Sequence, residues 1–329
     1  MPERTHLTSI AAVPHRYAFV MDPIERVLID KDTTFVFMLE AQERKHEIFF
    51  LEARDLVLRG TTPEARIFPV AVRRRRGDHF ELGTARVEPL EALDVLLLRK
   101  DPPFDMDFFF DTHVASLVDE AKTLVINSPR GLREANEKLY ALHFPDVIPE
   151  SLVASDMVVL KEFLKELGGE MIIKPLDGCG GAGVFHLHSG DRNLNSILEF
   201  ATDQGRRRVM AQRYLPEVRI GDKRIILVDG EPRGAVLRVP DDLESRSNFH
   251  VGGAAARSPL TERDREICAA IAPRLRADGL VFVGLDVIGG YLTEINVTSP
   301  TGVQEIDALE NVRIEADVLD WVEAHAPAS

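Results

Sequence analysis

Cysteine is almost missing from this chain. Among 329 residues there are two, Cys179 and Cys268, too few for a disulfide framework or a cysteine zinc site and in keeping with a reducing compartment. Nothing approaches the roughly 18 consecutive apolar residues of a membrane span. The opening MPERTHLTSIAAVPHR also lacks the apolar stretch of a secretion signal, so a cytoplasmic protein is expected. Positive charge is in deficit: 40 Lys and Arg stand against 54 Asp and Glu, a formal net charge of −14. That balance argues against nucleic acid or an anionic membrane as partner, and anionic substrates would need the basic residues gathered locally. The G-K-[ST] ending of a Walker loop is absent, and no G-x-G-x-x-G opens a helix after the first strand pattern. A nicotinamide dehydrogenase is therefore poorly supported.

The composition that remains, 45% apolar and 29% charged, is that of an ordinary globular protein, long enough for two or three domains. YAFVMDP (17–23) predicts a strand, residues 33–43 a helix and HEIFFLE (46–52) a second strand. With LDVLLLRKDPPFD (93–105) and TLVINSP (123–129), this βαβ opening suggests an open α/β sheet flanked by helices. Ligands collect at strand C-termini in such sheets, which makes Asp22, Arg99, Lys100 and Asp101 candidate site residues, with solvated loop charges as the plain alternative. Residues 67–87 read as a hairpin with Arg73 to Arg76 near its turn, a solvated turn, with a polyanion site as the alternative. Ser128 followed by Pro129 starts a helix whose apolar face is Leu132, Ala135 and Leu139 and which carries Lys138. A second helix over 155–169 has Ser155 as N-cap and Gly168 as stop. Strands follow on both sides of a glycine-rich turn (169–187), at 207–216, and as a hairpin over 223–240 turning at Asp229 and Gly230. Thr261 caps a helix that stops at Gly279.

Two stretches carry chemistry. FVGLDVIGGYLTEINVTSPTG (282–302) sets Asp286, Glu294 and Asn296 inside apolar runs that otherwise read as buried strands. Burying unpaired carboxylates costs several kcal/mol, so such a strand pair is expected to hold a cation. Glu294 and Asn296 share a strand face. A two-residue turn would pair Asp286 with Thr293 and point it away, so a three-residue loop or a bulge near Gly289 and Gly290 is expected. The oxygen set suits Mg²⁺. The plain alternative is one surface carboxylate and two capped polar residues. The second stretch, DGCGGAG (177–183), can expose backbone N–H groups to phosphate oxygens, with Lys174 adding a point charge. A simple hairpin turn is the alternative.

The succession MDPIE, LLLRKDPPFD, INSPRGLREANEKL, IIKPLDGCGGAG, MAQRYLP, GDKRIILVDGEP and GLDVIGGYLTEINVTSPTG resembles the bacterial glutathione synthetases of the ATP-grasp superfamily, over roughly residues 17–320. The resemblance implies α/β and α+β structure: an ATP-grasp fold preceded by an N-terminal open α/β domain. The expected division is a mobile extension (1–16), the N-terminal domain (17–134), a central lid (135–214) and a C-terminal domain with the metal site (215–329). It implies ligation of γ-glutamylcysteine to glycine, with ATP becoming ADP and phosphate. It also suggests a homo-oligomer. An ATP-grasp ligase using another acceptor amine and a noncatalytic ATP-binding protein are the alternatives.

Roles follow from the same resemblance. Lys138 and Lys174 would hold phosphates under the loop of Gly178, Gly180, Gly181 and Ala182. Gln212, Tyr214 and Leu215 would meet adenine, and Asp222 the ribose. Asp286, Glu294 and Asn296 would carry two Mg²⁺, with Mn²⁺ as a substitute. Arg224 and Arg238 would be catalytic, stabilising the transferring phosphoryl and the tetrahedral intermediate. Ser299, Pro300, Thr301 and Gly302 would place glycine. Arg246 and Asn248, in a segment (240–256) expected to close over the site, would touch substrate. Phe249 and His250 are bulkier than the family's usual residues there, and Cys179 stands where methionine is frequent.

Overall fold

In the computed structural model, which describes residues 14–240 and 254–327, three sheets follow one another along the chain. β1 (Arg16–Val20) is buried along Tyr17 to Val20, as a central parallel strand covered on both faces must be. Asp32 then caps α1 (Thr33–Glu43) by accepting from the Phe35 amide at 2.6 Å, and β2 (Glu47–Leu51) returns parallel to β1. β3 (Leu56–Arg59), β4 (Thr62–Val72), β5 (Phe80–Leu82) and β6 (Arg86–Pro89) form the antiparallel flank, with β4 pairing β2, β3, β5 and β6. β7 (Val95–Leu98), α2 (Met106–Ala115) and β8 (Leu124–Ile126) complete the parallel side. The 67–87 hairpin is present as β4 and β5. β3 escaped the pattern reading because three of its four residues are exposed and show no alternation.

The helix that opens at Ser128 is shorter than its apolar spacing predicted. α3 (Pro129–Glu134) has its Ser128 cap, but Ala135 leaves helical geometry at φ −97°, ψ 75°. Asn136 is the cause: its Oδ1 accepts from the amides of Lys138 (3.2 Å) and Leu139 (3.0 Å), a local turn that competes with the helix. Lys138 therefore sits in a turn and not on a helix.

The second sheet has the order β11-β10-β12-β9, built from β9 (Ser151–Ala154), β10 (Glu170–Pro175), β11 (Phe185–His188) and β12 (Val209–Arg213). α4 (Met157–Glu166) and α5 (Leu194–Ala201) cover one face. The N-cap of α4 is Asp156, not Ser155: its carboxylate takes the amides of Val158 and Val159, and an ionised acceptor makes the stronger cap bond. Leu160, Leu164, Met171, Ile173, Leu187, Leu198, Val209 and Ala211 form a core that belongs to this layer alone.

The third sheet has the order β15-β14-β13-β16-β17. β13 (Asp222–Val228) and β14 (Glu231–Val239) turn through Asp229 and Gly230, both at positive φ, the two-residue hairpin expected from the sequence. β15 (Ala254–Arg257) pairs with β14, and α6 (Glu262–Ala277) starts at a Thr261–Asp264 capping box. β16 (Phe282–Ile288), β17 (Tyr291–Asn296), α7 (Val303–Glu310) and α8 (Ile314–His325) finish the chain. Unlike the second sheet, this one shares its cores with the first: Ala18, Val20, Leu96 and Leu98 lie in one cluster with Ile225, Leu285 and Ile295.

Asn127 pins those two sheets together. Its Nδ2 donates to the carbonyls of Phe282 (2.8 Å) and Val297 (2.7 Å), and its Oδ1 accepts from the amides of Val281 and Phe282, both at 2.9 Å. Asn127→Ala would leave four backbone groups without these bonds in a site that is 4% exposed. We expect a loss of roughly 2–4 kcal/mol of unfolding free energy. Urea denaturation checks this, and an unchanged midpoint would mean that the pin is dispensable.

Candidate functional site

A register slip creates the candidate cation-binding face. Gly289 (φ +57°) and Gly290 (φ +79°) make a two-residue turn that pairs Ile288 with Tyr291 and Val287 with Leu292. An uninterrupted ladder would then set Asp286 opposite Thr293. The ladder instead shifts between Asp286 and Val287, so that Asp286 faces Glu294 and Gly284 faces Asn296. The predicted common face exists, but a bulge within β17 produces it, not a longer loop. The Thr293 hydroxyl donates to the Asp286 carbonyl at 3.1 Å and closes the bulge.

Around this face the charges alternate. Arg224 donates Nε to Asp286 Oδ1 at 2.6 Å and Nη2 to Oδ2 at 3.2 Å, while Arg238 Nη2 reaches Asp286 Oδ2 at 2.9 Å and also bonds Asp222. All four residues are at least nine-tenths buried. Burial opposes the charge on Asp286, but Arg224 and Arg238 outweigh it and hold the carboxyl well below the usual carboxylate range. Burial pushes Asp222 up to about 6 against the pull of Arg238, and its Oδ1 is buried without a partner. Gly284 makes room for this arrangement: a Cβ there would lie 2.8 Å from Pro300 Cβ and 3.2 Å from Arg224 Cδ. Arg224 Nη1 also donates to Thr301 O at 3.0 Å, tying the 299–302 segment to the network.

Two lysines meet the other carboxylate. Lys138 Nζ lies 3.6 Å and Lys174 Nζ 3.5 Å from Glu294 Oε1, both nearly buried. Burial pulls the Lys174 pKa down, Glu294 opposes this, and Lys138 adds to it. Lys138 also donates to Gly178 O at 2.6 Å and Lys174 to Thr293 O at 3.2 Å, so the glycine turn and the cation face share their cations. Gly180, Gly181 and Gly183 take positive φ. The Ala182 and Val184 amides turn back onto Cys179 and Gly181 carbonyls, so a phosphate contact through the Ala182 N–H would require that turn to open.

The cleft beside this face runs past Lys174, Gly181, Gln212, Tyr214, Leu215 and Asp222 to Asp286 and Glu294. Gln212 Nε2 donates to Ser151 Oγ at 2.8 Å, and the Tyr214 ring stacks on His186 at 3.8 Å. Asn296 Nδ2 donates to Gly284 O at 3.3 Å, which leaves its amide oxygen for a cation. Two carboxylates and an amide oxygen form a hard donor set that fits Mg²⁺.

The group at the strand ends of the first sheet divides. Arg99, 4% exposed, donates to Thr298 O (3.3 Å) and Pro300 O (3.1 Å) and lies over the rings of Phe282 and Phe37. It props the 298–300 segment from behind. Asp22 accepts from the Asp101 amide at 2.7 Å, and with Lys100 it lines a separate cleft that also contains Asp105, Asp107 and Asp111. Arg246, Asn248, Phe249 and His250, and most of the 1–16 extension, lie outside the described residues.

Glu137 was missed by the sequence reading. Adjacent to Lys138, it accepts from the Thr298 hydroxyl at 3.3 Å, and burial, with Glu294 adding, pushes its carboxyl up to about 7. No pattern announces it, since its environment is assembled from β17 and the turn at Asn136.

Comparison with known proteins decides the family. The prokaryotic glutathione synthetase N-terminal domain model matches residues 16–133, and the ATP-grasp domain model of the same enzymes matches 137–311. The chain belongs to the prokaryotic glutathione synthetase family. Within this family, the glutathione synthetase of Brucella melitensis is 49% identical over 309 residues, covering 94% of this chain and 98% of the relative. That of Pseudomonas aeruginosa is 44% identical over 314 residues, covering 95% and 99%. Among solved structures, the D-cycloserine synthetase DcsG superposes with a TM-score of 0.65 at 16% identity, over 94% of this chain and 99% of that one. The ATP-grasp ligase PsnB gives 0.62 at 17%, over 95% and 99%. At such identities these two likenesses speak to the ATP-grasp fold of the family alone.

Glu137 gives a pH signature. Its folded pKa is raised from 4.5 to about 7, so the folded state holds the extra proton between those values and stability falls as pH rises through that window. Glu137→Gln should flatten the fall, by a few kcal/mol at most. Urea titrations at pH 5 and about pH 7.5 measure it, and an equal slope in both proteins would refute the assignment.

Proposed function

We propose that this chain is a glutathione synthetase, joining γ-glutamylcysteine to glycine at the expense of ATP. A carboxylate is a poor electrophile. Its oxygen therefore first attacks the γ-phosphorus, releasing ADP and leaving an acyl phosphate. The glycine amine then attacks the carbonyl carbon, loses a proton and expels phosphate as the amide forms. Phosphoryl transfer asks mainly for positioning and charge neutralisation. What carries the proposal, beyond family membership, is the convergence of Lys138 and Lys174 on Glu294 beside the glycine turn.

In this reading Lys138 and Lys174 turn from Glu294 to the phosphate oxygens, which relieves the cost of two ammonium groups buried side by side. Gln212, Tyr214 and Leu215 line the adenine slot, and Asp222 offers its unpartnered Oδ1 to the ribose. Asp286, Glu294 and Asn296 would hold Mg²⁺, two ions in this proposal and replaceable by Mn²⁺. Bound there, the metal neutralises phosphate charge and polarises the γ-phosphoryl group. A carboxylate has about four lone-pair sites, so Asp286 can serve a cation while keeping both guanidinium partners. Arg224 and Arg238, fixed by Asp286 and Asp222, face the developing negative charge without having to reorganise. Ser299, Pro300, Thr301 and Gly302, held by Arg99 and Arg224, place the glycine. Arg246 and Asn248 are assigned to substrate contact on the sequence resemblance alone.

The division of labour is residues 17–134 as supporting domain, 135–214 as lid and 215–329 as metal-bearing domain. The separate core of the second sheet supports the lid assignment, because a layer with its own core can tilt as a unit. A cytoplasmic homo-oligomer belongs to the same proposal; among the described residues no helix is long and apolar enough to cross a membrane.

Phosphate release from MgATP, measured with γ-glutamylcysteine and glycine together and with each omitted, tests the activity. Release that needs both, with glutathione seen by mass, is expected. Release that needs the dipeptide but ignores glycine would point to another acceptor amine, and none at all would favour a noncatalytic ATP-binding protein. In Glu294→Gln the Mg²⁺ concentration for half-maximal rate should rise roughly tenfold or more. An unchanged requirement would remove Glu294 from the metal site.

A further inference from the structure

The second sheet carries a group of ligand-type side chains that the proposed reaction does not use. Among the described residues β11 is its edge strand, with no neighbour on its outer side. His186 and His188 lie two apart on β11 and so project from one face. In the antiparallel ladder His188 pairs with Glu170 of β10, and His186 with Ile172. Glu170 therefore rises on the same face as the two imidazoles. One ligand atom from each of Glu170, His186 and His188 can be chosen so that all lie within 4.8 Å of one another, and among the described residues no other set of His, Cys, Asp or Glu side chains meets that condition. His188 Nδ1 is 3.1 Å from Glu170 Oε1, and the two imidazole centroids are 4.2 Å apart.

From these positions we propose that Glu170, His186 and His188 bind a transition-metal dication of the zinc class, at a site distinct from the magnesium ligands. Tetrahedral coordination with bonds near 2.0–2.1 Å places ligand atoms about 3.4 Å apart. Glu170 and His188 stand close to that spacing at 3.1 Å, and a ligand atom of each of the three lies within 4.8 Å of the others. Glu170 and His188 are about half exposed, which gives an ion an entry path and leaves the remaining coordination position to water. The chemistry selects the metal: imidazole nitrogen suits zinc, copper and nickel, whereas Mg²⁺ takes oxygen donors. The two sites of this chain would thus sort two classes of cation.

His186 Nε2 is buried without a hydrogen-bond partner. His186 lines the cleft and its ring stacks on Tyr214 at 3.8 Å, so an ion held here becomes part of that wall.

Calorimetric titration of the untagged full chain with Zn²⁺, in excess Mg²⁺, tests the site. One Zn²⁺ per chain is expected, with affinity at least tenfold weaker in His188→Ala and unchanged in Glu294→Gln. Co²⁺ in place of Zn²⁺ should give the visible absorption of a tetrahedral nitrogen and oxygen site, lost in the same variant. No binding, or binding indifferent to His188→Ala, would overturn the proposal. So would binding lost in Glu294→Gln, which would put the ion on the magnesium ligands, or lost in Cys179→Ser, which would put it on the exposed thiol. His188 has no part in the proposed ligation, so zinc binding and phosphate release fail independently.

Discussion

The alternation Asp222, Arg238, Asp286, Arg224 is the constraint on which the third sheet and the site both depend. Each charge is removed from water, and such burial costs several kcal/mol per ion unless partners replace the solvent. Here each side chain is the partner of the next, and register sets the order: Asp222 stands opposite Arg238, and Arg224 opposite both Val236 and Asp286. The carboxylate at the centre stays ionised because two guanidinium groups hold it so. The same bonds leave those groups rigid and aimed at one face of the sheet. Structural stability and preorganised positive charge are thus one set of contacts.

Around that fixed centre the cores are distributed unequally. The first and third sheets are welded by common apolar clusters and by Asn127, whereas among the described residues the second sheet has an apolar core of its own. The polar links from the middle layer to the cation face are few: Lys174 to Thr293 and Glu294, and Lys138 and Asn136 to the glycine turn. A neutral hydrogen bond contributes about 1 kcal/mol and one from an ammonium group about 1.5–3 kcal/mol, still far less than a shared core. In the proposed function, a nucleotide between the layers would draw them together through the same lysines without breaking packed apolar surface.

Much of this was legible in the chain. The apolar runs around Asp286 and Glu294, the glycine turn after Lys174, the Asp229–Gly230 hairpin and the Thr261 cap are local signals, and each stands where its residues placed it. The errors were also local in origin. The spacing of Leu132, Ala135 and Leu139 predicts a helix through Lys138, but Asn136 bonds the next amides and ends it. Asp156 replaced Ser155 as a cap because a carboxylate competes better for two amides. Arg99 stands at the end of β7 as expected, but it is a buried prop beneath the 298–300 segment and no solvated loop charge.

The sequence by itself determined most of the strands and helices, the residue types of the proposed magnesium and phosphate site, and the family, because these rest on short-range spacing and on the succession of motifs. The tertiary structure decided which charges meet. Glu137 acquires its raised pKa, Asp286 its two guanidinium partners, and His188 its carboxylate neighbour only when distant strands pair. The facing of Asp286 and Glu294 turns on one extra residue at Thr293. A bulge is selected by what the sheet must bury on each face, and no window of neighbouring residues contains that information.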